Sequence, residues 1–284
     1  MTMQEATYYL LNKLKEITSD GEAGQITDMV MEHITGSGKA ERMVYKKSEI
    51  TAAEEKLLYE MTTRLLQHEP VQYVTGEAWF CGFRFYVDKN VLIPRPETEE
   101  LVEWVISNCK FPLSELSILD IGTGSGCIPI SLKRRLRKAN VSAVDISKEA
   151  LAVAQKNADT LGTDVQFTLL DILDEEKWAS LPMFDIITSN PPYVPEKDKA
   201  TMQPNVLQYE PAVALFVPDD DALLFYRTIA RFAKQHLNQG GQLYVEIHED
   251  LGEAVIKLLE AEGFYAEIKK DMQQKDRMVR SGLK

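Results

Sequence analysis

From the start of the chain to about residue 70, apolar positions recur at helical spacing. "TAAEEKLLYEMTTRLL" opens with Thr51 and has Glu54 three residues on, a capping-box pattern, and Leu57, Leu58, Met61 and Leu65 then fall on one side of a helix. Upstream, Tyr8, Leu11 and Leu14, then Ile26, Met29, Val30 and Ile34, predict two or more shorter helices, with glycines at 21, 24, 36 and 38 as separators. Over 71–93 the pattern changes to aromatic and β-branched residues broken by Gly76, Gly82 and an Asp-Lys-Asn turn, which predicts a β-hairpin. "PRPETEELVEWVISN" predicts a helix that starts after Pro96, with acidic residues in its first turn. From about 114, strands alternate with helices, the pattern of a doubly wound parallel sheet. Strands are expected at 116–121, 141–145, 165–170, 184–189 and 241–247, and two closing strands in the tail. One helix should end at Gly162 and another at Gly240 and Gly241. The expected organisation is a helical bundle over 1–70, a hairpin linker over 71–93 and an α/β domain over 94–284.

Four strand ends in that α/β pattern carry unusual residues. "LDIGTGSGCI" follows the first strand and opens a helix. Gly122, Gly124 and Gly126 let the backbone turn sharply and approach a ligand. The spacing is G-x-G-x-G, not the G-x-G-x-x-G of dinucleotide binders, and no G-K-[ST] follows. The loop, with Thr123 and Ser125 between its glycines, therefore suits a nucleoside cofactor more than a pyrophosphate. Asp145 ends the second strand, where a carboxylate can accept from ribose hydroxyls. Asp171 ends the third and can accept from an adenine amino group, with apolar Ile172 covering the ring. Asp120, just before the loop, can favour a positively charged ligand. The fourth strand runs into "SNPPYV". Two adjacent prolines cannot continue a strand or a helix, so Asn190, Pro191, Pro192 and Tyr193 form a stiff loop that presents an amide and an aromatic.

Composition narrows the partners. The 284 residues carry a formal charge of −12, and the 1–70 segment has 8 Lys+Arg against 12 Asp+Glu. The dense basic run "KRRLRK" (133–138) falls at an expected helix C-terminus, where cations suit the dipole, so direct nucleic-acid binding is not expected. Three cysteines without a CxxC argue against a disulfide framework, and four scattered histidines give no zinc spacing. No apolar run reaches membrane-spanning length and no start-region block resembles a signal peptide. A cytoplasmic protein with no bound metal and no membrane contact, monomeric, is the expectation.

The "DIGTGSG" loop, strand-end Asp145 and "NPPY" resemble class I S-adenosylmethionine-dependent methyltransferases. Over a longer stretch, "EPVQYVTGEAWFCGFRFYVDKNVLIPRPETEELV", "YEPAVAL", "GGQLYVEI" and "KDRMV" resemble the release factor glutamine methyltransferases of the PrmC/HemK type, from about Leu65 to the C-terminus. The "LIPRPETE" element discriminates best, since the glycine loop and "NPPY" are shared with other methyltransferases. Ile172, where bacterial members often carry an aromatic, and His248, where many have glycine, depart from the pattern, and neither touches the expected chemistry directly.

The resemblance implies a seven-stranded, mostly parallel sheet of class I methyltransferase type with a helical head that recognises the substrate. It implies transfer of a methyl group from S-adenosylmethionine to the side-chain amide of the glutamine in the Gly-Gly-Gln motif of class I peptide chain release factors. It places Asp120, Gly122–Gly126, Asp145, Asp171, Ile172 and Asn190 around the cofactor. It places Asn190, Pro191, Pro192, Tyr193, Arg95 and Glu97 around the substrate. The Asn190 side-chain carbonyl and the Pro191 backbone carbonyl would each accept one N–H of the substrate amide, with Tyr193 against its plane. An N6-adenine or RNA amino-methyltransferase is the alternative that "NPPY" leaves, and a catalytically silent cofactor-binding protein is a third. The acidic balance and "LIPRPETE" weigh against the alternative, and the intact "NPPY" against the third.

Overall fold

The computed structural model describes residues 1–109 and 116–284, which divide into two compact units. The first comprises Met1–Glu77 and Gln203–Tyr209, the second Ala78–Met202 and Glu210–Lys284.

The first unit is built on α1 (Met3–Leu14), α2 (Asp20–Thr35), α3 (Lys39–Val44), α4 (Ala52–Leu65) and α5 (Val71–Thr75). Thr51 and Glu54 close the expected capping box on α4, and Thr2 with Glu5 makes a second on α1. Three expectations are corrected here. The buried stripe of α1 is Ala6, Leu10 and Leu14, and Met31 joins Val30 and Ile34 in α2, whereas Tyr8 and Met29 face outward. A stripe of apolar residues is wider than the face that finds a partner. Gly21 and Gly24 lie within α2 and do not break it; Gly36 ends the helix. The expected hairpin over 71–93 begins as a helix instead, because Val71 and Val74 are spaced to enter the bundle core.

The hairpin of β1 (Glu77–Phe80) and β2 (Phe83–Tyr86) belongs to the second unit from Ala78 on, followed by α6 (Pro96–Asn108). Then come β3 (Ser117–Ile121), α7 (Cys127–Arg135), β4 (Asn140–Asp145), α8 (Lys148–Leu161), β5 (Gln166–Leu169) and β6 (Phe184–Ser189). A two-residue ladder pairs β7 (Val194–Pro195) with β8 (Phe216–Val217), and between them α9 (Pro204–Tyr209) belongs to the first unit. The chain closes with α10 (Leu224–His236), β9 (Leu237–Glu246), α11 (Gly252–Ala261), β10 (Phe264–Lys270) and β11 (Asp276–Leu283).

Seven strands form one sheet in the order β10-β11-β9-β6-β3-β4-β5. The pairs β9/β6, β6/β3, β3/β4 and β4/β5 are parallel, and β11 is antiparallel to both β9 and β10. The chain winds one way from β3 to β5 and then returns past β3 to β6. That reversal leaves a crevice between β3 and β6 at their C-terminal ends. Two apolar cores cover the sheet. One joins the hairpin's Phe80 and Phe85 to Trp104, Ile118 and Ile130; the other joins Trp178, Ile229 and Phe232 to Ile187, Leu243 and Phe264. Ser147 caps α8, and Gly162 ends it as expected. The end of α10 is corrected: it stops at His236, and β9 runs through Gly240 and Gly241, where the pairing with β6 slips register. A Cβ on Gly241 would meet the Asn238 and Asp185 carbonyl oxygens at 2.9 and 3.1 Å, so these glycines serve a strand irregularity rather than a helix end.

Candidate active site

A cavity of about 210 Å³ opens at the C-terminal ends of β3, β4, β5 and β6. Its walls include Gly122, Gly124, Asp145, Asp171, Ile172, Asn190, Pro191 and Pro192, so the four strand ends singled out in the sequence do converge. Pro211, Val213 and Ala214 of the "EPAVAL" segment and Asn90, Val91 and Leu92 complete the rim.

The three loop glycines have different work to do. All have positive φ, at 72°, 53° and 78°. A Cβ on Gly122 or Gly124 would meet nothing within 4 Å, leaving that backbone open toward the cavity. A Cβ on Gly126 would stand 2.9 Å from Ile130 Cδ1 and 3.1 Å from Ala154 Cβ, so its close approach is to α8 and not to a ligand. Thr123, Ser125, Gly126 and Asp120 do not line the cavity. Thr123 and Ser125 are buried within the turn. Asp120 lies fully buried beneath the loop, where Thr188 donates to its Oδ1 at 2.8 Å. Burial pushes its pKa up to about 7 against the pull of the Thr123 and Thr188 hydroxyls.

Asp145 faces the cavity with its carboxylate already half used. Oδ2 accepts from the Gly124 N–H at 2.8 Å and Oδ1 from the Ser147 N–H at 2.9 Å. Each oxygen keeps a lone pair, which makes two acceptor positions side by side, the match for a vicinal diol. Burial raises its pKa, while the Ser147 and Gly124 N–H groups hold it down. Asp171 fixes its own turn through the Leu173 N–H at 2.9 Å, and buried Ile172 beside it is held by Trp178 Nε1, which donates to its carbonyl at 3.0 Å. Open backbone at two glycines, a paired acceptor and an apolar wall fit a nucleoside ligand.

The proline loop leaves β6 with Ser189 bonded back to the Ile121 carbonyl at 2.8 Å, which ties it to the glycine loop's strand. Asn190 Nδ2 donates to Thr98 Oγ1 at 3.1 Å. Thr98 donates to Glu246 Oε2 at 2.6 Å, and Tyr193 donates to Glu246 Oε1 at 3.4 Å. Burial first, and the Glu246 charge second, raise the Tyr193 pKa, which keeps it a neutral donor. Burial pushes Glu246 up to about 7, opposed by Thr98 and Arg277 and reinforced by Glu97. His248, set apart from the chemistry in the sequence reading, packs its ring 5.8 Å from that of Tyr193.

Arg95 and Glu97 are not on the cavity wall. Arg95 Nη2 binds Glu210 Oε1 at 2.6 Å, and Glu210 Oε2 accepts from the Ile93 N–H at 3.2 Å. Glu210 thereby clasps "LIPRPETE" to the rim segment "EPAVAL". Thr98, Glu210, Glu246 and Asn157 carry structural duty that the sequence reading missed. Asn157 is almost wholly buried and binds both the Tyr86 backbone, at 2.7 and 2.9 Å, and the Ser125 carbonyl at 2.9 Å. A polar residue on the apolar face of α8 was the one available signal for it. Among the described residues, no group of His, Cys, Asp and Glu is arranged to hold a metal ion, and no helix is long and apolar enough to cross a membrane.

Residues 101–209 match the family described as Methyltransferase small domain, and residues 5–76 match the PrmC N-terminal domain. A release factor glutamine methyltransferase of Flavobacterium psychrophilum is 51% identical over 220 residues, 76% of each chain. One of Bacteroides thetaiotaomicron is 40% identical over 278 residues, 98% of this chain and 99% of the other. A solved methyltransferase of Pyrococcus furiosus superposes with a TM-score of 0.52 at 16% identity, over 78% of this chain and 96% of that one, which shows a shared fold.

Proposed function

The chain belongs to the release factor glutamine methyltransferase family, and from that premise we propose that it methylates the side-chain N5 of the glutamine in the Gly-Gly-Gln motif of class I peptide chain release factors. The observation that carries this reading is the placement of Asn190 and Pro191 on the wall of one cavity with Gly122, Gly124 and Asp145. One set of residues suits a planar amide and the other an adenosyl group, so donor and acceptor would meet.

The donor proposed for that site is S-adenosylmethionine, which supplies a methyl group already activated on a sulfonium. Asp145 would take the ribose hydroxyls, the open backbone of Gly122 and Gly124 would lie against the ligand, and Ile172 would cover the adenine. The chain's own part in the chemistry is orientation. An amide nitrogen is a poor nucleophile because its lone pair is delocalised into the carbonyl. Asn190 Oδ1 and the Pro191 carbonyl would each accept one N–H, turning the amide so that its nitrogen faces the methyl group. The same two acceptors stabilise the positive charge that grows on nitrogen. Both prolines lock the backbone, so the acceptors are preorganised. The nitrogen becomes strongly acidic once methylated, so water can remove its proton and no strong base is needed. The helical head would recognise the release factor.

The test uses labelled S-adenosylmethionine with the intact chain, a class I release factor, the same factor with its Gly-Gly-Gln glutamine changed to alanine, and duplex DNA. Label should enter the unaltered factor alone. Asn190→Ala should lower kcat about a hundredfold or more, the usual scale for losing one preorganised polar group, while cofactor affinity stays within about twofold. Label in DNA, or undiminished turnover by the Asn190 variant, would refute the reading.

A further inference from the structure

Asn190 can serve the proposed reaction only if its amide is turned one way, with Oδ1 toward the substrate and Nδ2 away. We propose that Thr98 and Glu246 are positioning residues that impose this orientation: Glu246 claims the single Thr98 proton, and the Thr98 oxygen then accepts only the NH₂ side of Asn190. The inference rests on the reading of Asn190 as the acceptor of the substrate amide.

Thr98 and Glu246 are 2% and 1% exposed, so each must find its partners within the protein. Above about pH 7 Glu246 is ionised, and an ionised carboxylate only accepts. At 2.6 Å from Glu246 Oε2, the Thr98 hydroxyl must spend its hydrogen there. What remains on Thr98 Oγ1 is lone pairs, and 3.1 Å away stands the Asn190 amide. Were that amide turned over, two acceptors would face each other with no hydrogen between them. Nδ2 therefore faces Thr98 and Oδ1 faces the cavity that Asn190 lines.

Glu246 also governs the other end of the loop. Its Oε1 accepts from Tyr193, so one carboxylate sets the donor direction at both Asn190 and Tyr193. The charged groups facing it do not displace these bonds. Arg277 is paired with Asp271 at 3.1 Å and Glu249 at 3.7 Å, and among the described residues no cation is ion-paired with Glu246. The placement also makes mechanical sense. Glu246 ends β9 and Thr98 sits in the first turn of α6, two regular elements that hold a loop built outside them.

The test is a double-mutant cycle on the full-length chain, with kcat, the KM for a purified release factor, cofactor affinity by calorimetry and Tm measured for each variant. Thr98→Val keeps the shape and removes the hydroxyl. It should lower kcat about tenfold to a hundredfold, the scale of a small misplacement of reacting groups, with cofactor affinity within about twofold. Thr98→Ser, which restores the hydroxyl, should recover most of the loss. In an Asn190→Ala background, Thr98→Val should add almost nothing, because the group it positions is gone. Glu246→Gln, whose amide can donate to Thr98 and reverse the chain of bonds, provides a second route if the valine variant does not fold. It too should lower kcat, with cofactor affinity within about twofold; because it also disturbs the Tyr193 bond, non-additivity with Asn190→Ala is read on Thr98→Val. Folded Thr98→Val or Glu246→Gln with wild-type kcat would overturn the inference. So would losses that multiply in the Thr98→Val, Asn190→Ala double variant, or a failure of Thr98→Ser to rescue. A wild-type chain that leaves the release factor unlabelled overturns the functional reading itself, whereas a crippled Asn190→Ala beside a fully active Thr98→Val overturns the positioning role alone.

Discussion

Asp145→Asn separates the nucleoside half of the site from the amide half. The wild-type carboxylate offers four lone-pair positions, two of them held by the Gly124 and Ser147 N–H groups at 2.8 and 2.9 Å. The two left over are those proposed for the ribose hydroxyls. Asparagine keeps one oxygen and sets an NH₂ where the other was, so two effects follow. First, one of the two backbone N–H groups faces a donor and loses its partner, which costs the fold about 1–3 kcal/mol. At about 2–4 °C of Tm per kcal/mol for a domain of this size, the ligand-free chain should melt a few degrees lower. Second, the ribose loses a charge-assisted acceptor, worth about 1.5–3 kcal/mol, so cofactor Kd should rise roughly 10- to 100-fold. At saturating cofactor, kcat should stay within a fewfold of wild type, because the groups that orient the amide are untouched. Calorimetric titration with S-adenosylmethionine and with S-adenosylhomocysteine measures the second effect, and steady-state turnover at several cofactor concentrations tests the kcat expectation. An unchanged Kd with a large fall in kcat would refute the assignment of Asp145 to the ribose.

Three further outcomes are expected. Asp120 is protonated in the folded chain up to about pH 7 but ionises near 3.8 when unfolded, so its contribution to stability is present below about 4 and lost as pH rises through about 7. The Tm of Asp120→Asn should therefore gain on wild type across that window, and a difference flat from pH 4 to 8 would contradict the burial argument. Glu210→Ala unpairs the buried Ile93 N–H and releases Arg95, so it should cost about 1–3 kcal/mol in denaturant unfolding and raise the KM for the release factor; a silent variant would mean that the clasp is not what shapes the rim. In the head, Met43, Val44 and Tyr45 are 68%, 74% and 56% exposed. If that face meets the release factor, Val44→Asp with Tyr45→Ala should raise the KM for the whole factor about tenfold and leave a short Gly-Gly-Gln peptide unaffected; equal effects on both substrates would count against it.

What was legible in the sequence is what the chain writes locally. The capping box at Thr51 and Glu54 and the stop at Gly162 are contracts between residues within four positions of one another. The strand–helix alternation is of the same kind, and so is the convergence of Gly122, Asp145, Asp171 and Asn190, since parallel winding brings successive strand ends together. The misreadings have one physical origin. Val71 and Val74 read as strand by residue type, yet the nearby bundle core rewarded a helical turn. Gly240 and Gly241 read as a helix stop, yet the constraint they answer comes from the Asp185 carbonyl of a neighbouring strand. Intrinsic preference lost each time to a neighbour distant in sequence.

The same distinction explains why the site was found in half. The groups proposed to touch ligand sit on glycines and prolines, which mark themselves because their backbones are unusual. The groups that aim them do not. Thr98 meets Glu246 across 148 residues, and Ile93 meets Glu210 across 117. A threonine in the first turn of a helix reads as an ordinary helix residue, and a glutamate at the end of a strand as a solvated one. Only burial turns these two into obligate partners, because a buried hydroxyl must spend its proton and a buried carboxylate must find donors. The Asn190 amide is then no longer able to choose its orientation. A loop proposed to present its amide to a planar NH₂, of glutamine or of adenine, would thus depend for its direction on residues that no short motif contains.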